Sequence, residues 1–144
     1  MIGDPATVER LLRGSGTWAV VGLSQDQSRD AYGIAALLQR IGQRIVPVHP
    51  RAVEVHGEPG YRTLAEIPDG TQVDVVDCFV NSTRVGRVVD DAIAERDRLG
   101  ITAVWMQLGI VDAAAADRAR AAGLDVVMDA CPAIEAPRLG ISTR

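Results

Sequence analysis

The hydrophobic positions of this chain alternate between short apolar runs and stretches in which apolar residues recur every three or four positions. Asp4 and Pro5 predict a helix that runs to about Arg13, since Asp is a favoured N-cap and proline fits the first helical position. The apolar run 18–21 predicts a strand, and a second helix is expected from Asp30 onward. The predicted buried face of that helix has the spacing i, i+3, i+4 and i+7 and consists of Ile34, Leu37, Leu38 and Ile41.

The pattern is less regular between the second helix and residue 72. Ile45-Val46 starts a second strand, and the two prolines of the run 47–50 should limit its regular pairing. Residues 58–61 are predicted as a short strand near an edge of the sheet, and residues 64–67 as one helical turn.

The regular alternation then resumes and continues toward the end of the chain. Three further strands are predicted, over residues 73–80, 103–106 and 124–128. Two helices separate them, a long one that ends at Gly100 and a shorter one over residues 112–122. The long helix has three possible N-cap residues, Asn81, Ser82 and Thr83.

Alternation of strands and helices is typical of a parallel sheet flanked by helices. We therefore predict an α/β Rossmann-like fold, a doubly wound and mainly parallel sheet of five to six strands with helices on both faces. We expect one domain over residues 1–144, because no linker or internal repeat divides the chain. Ligands bind such sheets beyond the carboxyl ends of the strands, where the strand order reverses. This rule selects five segments, 22–32, 49–51, 79–82, 107–109 and 129–132.

The segment after the first strand has the chemistry of a phosphate-binding loop. It reads GLSQDQSRDAYG over residues 22–33. Gly22 lets the backbone turn sharply, and the start of the helix adds free N–H groups and the positive end of its dipole. A solvated polar loop could have the same composition, but the location favours phosphate. Side chains that can donate hydrogen bonds to phosphate belong to Ser24, Gln25, Ser28 and Arg29.

Two departures from the dinucleotide fingerprint argue against NAD. The loop lacks the second glycine of G-x-G-x-x-G, and His49-Pro50-Arg51 stands where an acidic residue should hold the ribose. The loop is not a Walker A loop either, because no Gly-Lys-Ser/Thr follows. An NAD(P)-binding oxidoreductase-like or regulatory protein is the alternative hypothesis, favoured by Arg51 near the expected ribose position.

Composition and charge exclude further classes of function. Hydrophobic residues make up 47% and charged residues 24% of the chain, which is usual for a globular protein. The net charge of −4 gives no general attraction to nucleic acid or anionic membranes. No apolar run approaches the ~20 residues of a membrane-spanning helix, and the start of the chain lacks the features of a signal peptide. With only two cysteines, we expect a cytoplasmic protein that binds neither nucleic acid nor membrane.

Several segments between about residues 15 and 135 carry a family resemblance. In order they are VGLSQDQSRDAYG, Leu37-Leu38 followed by Gly42, IVPVHP, Gly57-x-x-x-Tyr61, LAEIP, VDVVDCFV, VWMQLG and GLDVVMDAC. With this ordered set the chain resembles the small stand-alone CoA-binding proteins. Their fold is that of the CoA-binding N-terminal domain of the succinyl-CoA synthetase alpha subunit. The resemblance implies coenzyme A as the cofactor and CoA or an acyl-CoA as the small-molecule partner.

The resemblance also implies four groups of nucleotide-binding positions. The first loop, from Gly22 onward, should hold the CoA phosphates through Ser24, Gln25, Arg29 and Tyr32. The turn after the second strand should flank the nucleotide through His49, Pro50 and Arg51. The end of the fourth predicted strand should line the adenine through Phe79, Val80 and Asn81. The end of the next strand should close the site through Gln107, Leu108 and Gly109.

The chain departs from the family pattern at two places. The turn that commonly reads PVNP is PVHP here, and Val80-Asn81 stands where an Arg or Pro often follows the phenylalanine. A missing arginine there would weaken phosphate binding. The ligase domains of the synthetase and their phosphorylated histidine have no counterpart in the sequence. The resemblance therefore supports CoA binding and gives no support for thioester synthesis.

Four residues near the predicted site have alternative roles. Phe79 can stack on adenine or pack at the edge of the core, and Tyr32 can reach a phosphate or cover the sheet. Cys131 can face the pantetheine thiol and form a mixed disulfide, although a small buried hydrophobic residue is the expected role. Asp77 interrupts an apolar strand, and we expect a neighbouring donor to satisfy its carboxylate.

The sequence shows no arrangement typical of catalysis or of metal binding. It has no Ser–His–Asp, Cys–His or paired-carboxylate set that we would assign, and His49 and His56 lack the further ligands of a zinc site. We therefore hypothesise a non-catalytic CoA- or acyl-CoA-binding protein that serves as a carrier, a sensor or a subunit of an unidentified protein partner. A protein-interaction module with a vestigial cleft is a third possibility.

Overall fold

The computed structural model describes residues 1–143 and contains a five-stranded sheet between two layers of helices. Arg144, the last residue of the predicted domain, lies outside the described residues. The strands are β1 (Thr17–Val21), β2 (Arg44–Val48), β3 (Val75–Cys78), β4 (Ala103–Met106) and β5 (Asp125–Val127). The helices are α1 (Pro5–Arg13), α2 (Asp30–Arg40), α3 (Val85–Ala94), α4 (Arg96–Leu99), α5 (Ala113–Ala121) and α6 (Pro132–Arg138).

The strand order is β2-β1-β3-β4-β5, and all neighbouring strands are parallel. The predicted doubly wound α/β fold is confirmed. The chain adds β2 on one side of β1 and then returns to add β3 on the other side, so the direction of winding reverses between β1 and β3. At the carboxyl ends of these two strands Val21 pairs with Cys78.

Both faces of the sheet are covered, which explains why its strands are nearly continuous apolar runs. One face packs against α3 and α5, and the other against α1, α2 and α6. On the second face the rings of Trp18 and Trp105 lie 5.3 Å apart and are fully buried. Trp105 is therefore a core residue. Among the helices within residues 1–143, none has the length and apolar character to cross a membrane.

The first two helices begin where the sequence places them. The Asp4 carboxylate accepts a hydrogen bond from the Ala6 N–H at 3.1 Å, and Pro5 is the first helical residue of α1. The predicted buried face of α2 is largely confirmed, because Ile34 and its partners further along the helix are buried. Leu37 is only half-buried.

The predicted strand over residues 58–61 is wrong. Tyr61 makes a single parallel bridge to Val48 at the outer side of β2, where its N–H donates to the Pro47 carbonyl at 3.0 Å. The Pro47 backbone therefore faces away from β1, and β2 pairs with β1 along its whole length. The helical turn that follows is present as the 3₁₀ turn Leu64–Glu66.

The predicted boundaries around α3 are also wrong. Strand β3 is shorter than the predicted 73–80, and α3 begins at Val85, later than any of the three proposed N-caps allows. The residue before it, Arg84, makes no capping hydrogen bond with its side chain. Asn81 contributes its backbone carbonyl instead, which accepts from the Val85 N–H at 3.0 Å. The long predicted helix is divided at Glu95 into α3 and α4.

The expectation that a neighbouring donor satisfies Asp77 is wrong. This residue lies in β3 between Val20 of β1 and Trp105 of β4 and is fully buried. Neither carboxylate oxygen has a hydrogen-bond partner. Burial raises the pKa of Asp77 well above its ordinary value, because the charged form would stand in an apolar cluster without a counter-ion.

Candidate functional site

A cleft of about 1240 Å³ opens beyond the carboxyl ends of β1, β2 and β3. Its floor consists of residues at these strand ends, Val21, Val48 and Phe79. Its walls come from the loop after β1, the turn after β2, the segment around the 3₁₀ turn, and the loop that leads into α3. The cleft therefore lies at the reversal of strand order, where the topology predicts a ligand.

The loop after β1 leaves the strand through a backbone conformation that requires glycine. Gly22 has a φ of 103°, and its N–H donates to the Val48 carbonyl at 2.8 Å. A Cβ at this position would lie 3.1 Å from the Cβ of Phe79, closer than most carbon contacts. Conformation and space both favour glycine, and the tight turn keeps the loop next to the end of β3.

Hydrogen bonds within the loop fix the shape of its tip. The Asp26 carboxylate accepts from the Ser28 N–H at 3.0 Å and from the Ser28 hydroxyl at 2.6 Å. The Ser24 hydroxyl accepts from the Asp26 N–H at 3.2 Å. The bonds from Ser28 lower the pKa of Asp26, so this carboxylate stays ionised and holds the turn together.

Arg29 and the start of α2 present positive charge to the cleft. The Arg29 side chain is 77% exposed, and its ion pair with Asp26 is loose at 3.7 Å. No side chain caps α2, and the Tyr32 N–H donates to the Arg29 carbonyl at 3.1 Å, so the first N–H groups of the helix, before Tyr32, are the ones left for a ligand. An exposed guanidinium beside an uncapped helix N-terminus is suited to phosphate.

The turn after β2 brings a histidine to the cleft. The Nδ1 atom of His49 accepts a hydrogen bond from the Arg51 N–H at 3.1 Å, so the neutral ring carries its proton on Nε2. Burial, and to a smaller extent the Arg51 cation, lowers the pKa of His49. At neutral pH the ring is thus an uncharged group with one N–H to donate.

The structure brings most of the predicted site residues together. Nine of them line the cleft, namely Gly22, Ser24, Arg29, His49, Pro50, Phe79, Val80, Asn81 and Gly109. They come from four separate segments of the chain that meet at one edge of the sheet. The rule of ligand binding at carboxyl ends thus selected residues that meet at one cleft.

Three other predicted residues, Gln25, Tyr32 and Arg51, do not line the cleft. The Gln25 amide donates to the Glu54 carbonyl at 2.7 Å. The Tyr32 ring lies against the His56 ring at a centroid distance of 4.3 Å, and its carbonyl accepts from His56 Nε2 at 2.8 Å. Arg51 is exposed and contributes its backbone N–H to the histidine turn.

The remaining two predicted residues, Gln107 and Leu108, line a second groove of about 490 Å³. This groove runs along the side of α2 and shares residues 28–30 with the cleft. Gln107 is buried, whereas Leu108 is half exposed. Gly33 also faces the groove, and a Cβ added there would meet no atom within 4 Å.

Three arginines that line the cleft were not predicted as site residues from the sequence. Arg62 precedes the 3₁₀ turn, and Arg84 and Arg87 stand at the start of α3. With Arg29 they give the lining four arginines, against the two aspartates Asp30 and Asp91. The signal that could have found Arg84 and Arg87 is their position directly after the loop that follows β3.

The two cysteines lie outside this cleft lining. Cys78 is fully buried in β3, and burial raises the pKa of its thiol. Cys131 is buried at the start of α6, which agrees with the role of a small hydrophobic residue. Among the described side chains, no group of three or more His, Cys, Asp or Glu is placed to hold a metal ion.

Comparisons with known proteins identify the family of this chain. It matches the family model of the CoA binding domain over residues 16–137. It is 32% identical over 126 residues to the uncharacterized protein YneT of Bacillus subtilis (strain 168). This alignment covers 88% of this chain and 89% of that protein. In structure it is similar to a hypothetical protein from Pyrococcus horikoshii OT3, with a TM-score of 0.83, 31% identity and coverage of 94% of this chain and 92% of that chain.

A larger enzyme shares the same domain fold. The dinucleotide forming acetyl-coenzyme A synthetase 1 of Ca. Korarchaeum cryptofilum is similar to this chain with a TM-score of 0.67 and 27% identity. The similarity covers 85% of this chain but only 27% of the synthetase chain. The family match over residues 16–137 spans every segment that lines the cleft. This chain therefore belongs to the CoA-binding domain family.

Proposed function

We propose that this chain binds coenzyme A or an acyl-CoA in the cleft and acts as a carrier, a sensor or a subunit of a larger assembly, without catalysing a reaction itself. In this proposal residues 1–144 form one CoA-binding domain. The observation that carries the proposal is the cleft at the strand reversal, whose first loop and uncapped helix present positive charge at the place where such folds hold phosphates.

The first loop is the proposed site of the diphosphate. The Ser24 and Ser28 hydroxyls and the Arg29 guanidinium line the cleft next to the open N–H groups of α2. A diphosphate could accept hydrogen bonds from the Ser24 hydroxyl, the Arg29 guanidinium and these N–H groups, and bonds to a charged acceptor are the strong ones. The Ser28 hydroxyl donates its single proton to Asp26 instead. The proposed position of the adenine is beside Phe79 and Val80, which supply the apolar part of the lining.

The second groove is the proposed path of the pantetheine arm. It starts at residues 28–30, where a diphosphate in the first loop would end, and continues between α2 and the loop after β4. Apolar lining comes from Ile34, Leu37 and Leu108. This placement gives Gln107 and Leu108 a role in binding, although they lie outside the cleft itself.

The chemistry of the lining supports a role in binding rather than in catalysis. His49 is a general-base candidate among the lining residues, but its Nδ1 atom accepts from a backbone N–H. A histidine that acts as a base in hydrolases is usually oriented by a carboxylate at this atom. The NAD(P) alternative loses its supporting feature, because Arg51 does not line the cleft.

The direct test is calorimetric titration of the purified protein with CoA, acetyl-CoA and NADPH. We expect saturable binding of CoA and acetyl-CoA and none of NADPH. A ligand that binds only the folded state also raises the melting temperature by mass action, which gives an independent readout. The absence of CoA binding up to millimolar concentration would contradict the proposal. Preferential binding of NADPH would favour the alternative.

A substitution at Gly33 tests the path of the pantetheine arm. Glycine costs about 1 kcal/mol relative to alanine inside a helix, and neither conformation nor packing requires it here. We expect Gly33→Leu to fill the groove and to weaken CoA binding while leaving the affinity for 3′,5′-ADP, which lacks the arm, nearly unchanged. Ala36→Leu, on the same helix but outside the groove lining, is the matched control. Equal CoA affinities of the two variants would argue against this path.

A further inference from the structure

The arginines of the cleft form two groups that belong to opposite faces of the sheet. Arg29 stands at the start of α2, which packs on the face covered by α1 and α6. Arg84 and Arg87 stand at the start of α3, which packs on the other face. Arg62 lies next to the 3₁₀ turn, which contacts α3. We call Arg62, Arg84 and Arg87 the second arginine group.

The second arginine group has little of its charge neutralised by the protein. Arg62 pairs with Glu66 at 3.4 Å, and both side chains are exposed. Within residues 1–143, neither Arg84 nor Arg87 has a carboxylate within 4 Å, although Asp91, one helical turn after Arg87, interacts with the Arg87 charge at longer range. By contrast, Arg98 outside the cleft contacts Glu95, Asp69 and several carbonyls. These cations are therefore available to a ligand.

Local charge in the cleft is opposite to the charge of the whole chain. The lining holds four arginines and two aspartates, whereas the chain has a formal net charge of −4. Like charges that line one cleft repel one another, and a bound anion reduces this repulsion. The cations on the α3 side, which have only weak ion pairs or none within 4 Å, therefore indicate a second place for an anion, separate from the one proposed at the first loop.

Coenzyme A carries its phosphates in two places, the diphosphate bridge and the 3′-phosphate of the ribose. We propose that Arg84 and Arg87, with Arg62 beside them, bind the 3′-phosphate and make the cleft selective for CoA over dephospho-CoA. This inference rests on the proposed function, because it places the diphosphate at the first loop and the adenine between the two groups. An Arg fork can donate two parallel hydrogen bonds to one phosphate, which suits a terminal phosphate well.

The test compares CoA with dephospho-CoA, which differ only in the 3′-phosphate. By calorimetry the native protein should bind CoA roughly 10- to 100-fold more tightly, the gain expected from one or two charge-assisted contacts. In the double variant Arg84→Gln/Arg87→Gln this ratio should fall toward one, mainly through weaker CoA binding. Arg44→Gln is the matched control, since Arg44 is exposed at the amino end of β2, and the cleft lies at the carboxyl ends of the strands.

The outcomes separate this inference from the proposed function. Equal affinity of the native protein for both nucleotides would overturn the selectivity, and so would an unchanged ratio in the double variant. If the double variant loses both ligands to the same extent, the two arginines hold the diphosphate instead, and the assignment to the 3′-phosphate is wrong. If the native protein binds neither nucleotide, the proposed function fails, and the inference fails with it.

Discussion

Replacing Asp77 by asparagine should remove a strong pH dependence from the stability of this protein. The carboxyl group is fully buried in β3 without a hydrogen-bond partner, and burial raises its pKa well above the ordinary value of 3.8. Below pH 3.8 both the folded and the unfolded chain hold the proton, so the group costs nothing through ionisation. As the pH rises, the unfolded chain releases the proton while the folded chain keeps it. The folded state therefore loses stability up to its own raised pKa.

The size of this effect follows from proton linkage. Within the window between the two pKa values, each pH unit lowers the free energy of unfolding by about 1.4 kcal/mol. The side-chain amide of the Asp77→Asn variant cannot ionise, so this variant should lack the slope. Urea unfolding at about pH 5, 6 and 7 should show the variant gaining stability over the native protein as the pH rises.

An exposed aspartate controls for the loss of one negative charge. The side chain of Asp97 is 89% exposed, so Asp97→Asn removes a carboxylate from solvent rather than from the core. If the unfolding free energies of the native protein and of Asp77→Asn change in parallel across this pH range, then Asp77 is ionised in the folded state. The folded protein would then have to hold a partner for the Asp77 carboxylate that the structure does not show.

The fold followed from the sequence because local signals and long-range packing agree. Capping at Asp4, the apolar spacing of α2 and the buried run of β4 each depend on short segments, and each was predicted within about a residue. The start of α3 was not, because the turn before it is closed by the backbone carbonyl of Asn81 instead of by a side chain. Propensity at Asn81, Ser82 and Thr83 cannot distinguish these two arrangements.

The candidate site was predictable as a place but not as a complete set of side chains. The carboxyl ends of the strands locate the cleft, but which parts of the helices line it depends on tertiary packing. The Tyr32 ring packs against His56, which lies 24 residues further along the chain. Side chains alternate along a strand, so Gln107, two residues after Trp105, lies on the same face of the sheet, the one covered by α2 and α6. It therefore lines the groove and not the cleft. Asp77 was misjudged because its lack of a donor depends on neighbouring strands.

Substituting alanine for Gly22 should cause the largest loss of CoA affinity of any single change in the first loop. An L-residue rarely adopts a φ of 103°, and the new Cβ would press on the Cβ of Phe79 at 3.1 Å. The backbone must therefore move, which displaces both the loop proposed to hold the diphosphate and the residue proposed to contact the adenine. We expect a stability loss of about 1–3 kcal/mol and at least a roughly tenfold rise in the Kd for CoA.

Gly70→Ala separates this effect from general destabilisation. Gly70 also has a positive φ, of 85°, but a Cβ there would meet no atom within 4 Å, and the residue does not line the cleft. Its variant should lose stability through backbone strain while its Kd for CoA stays native. Urea unfolding gives the stability of each variant, and calorimetry at a temperature where both are folded gives the Kd. If Gly22→Ala binds CoA as tightly as Gly70→Ala does, the loop after β1 does not hold the nucleotide, because a displaced loop could not leave a diphosphate contact intact.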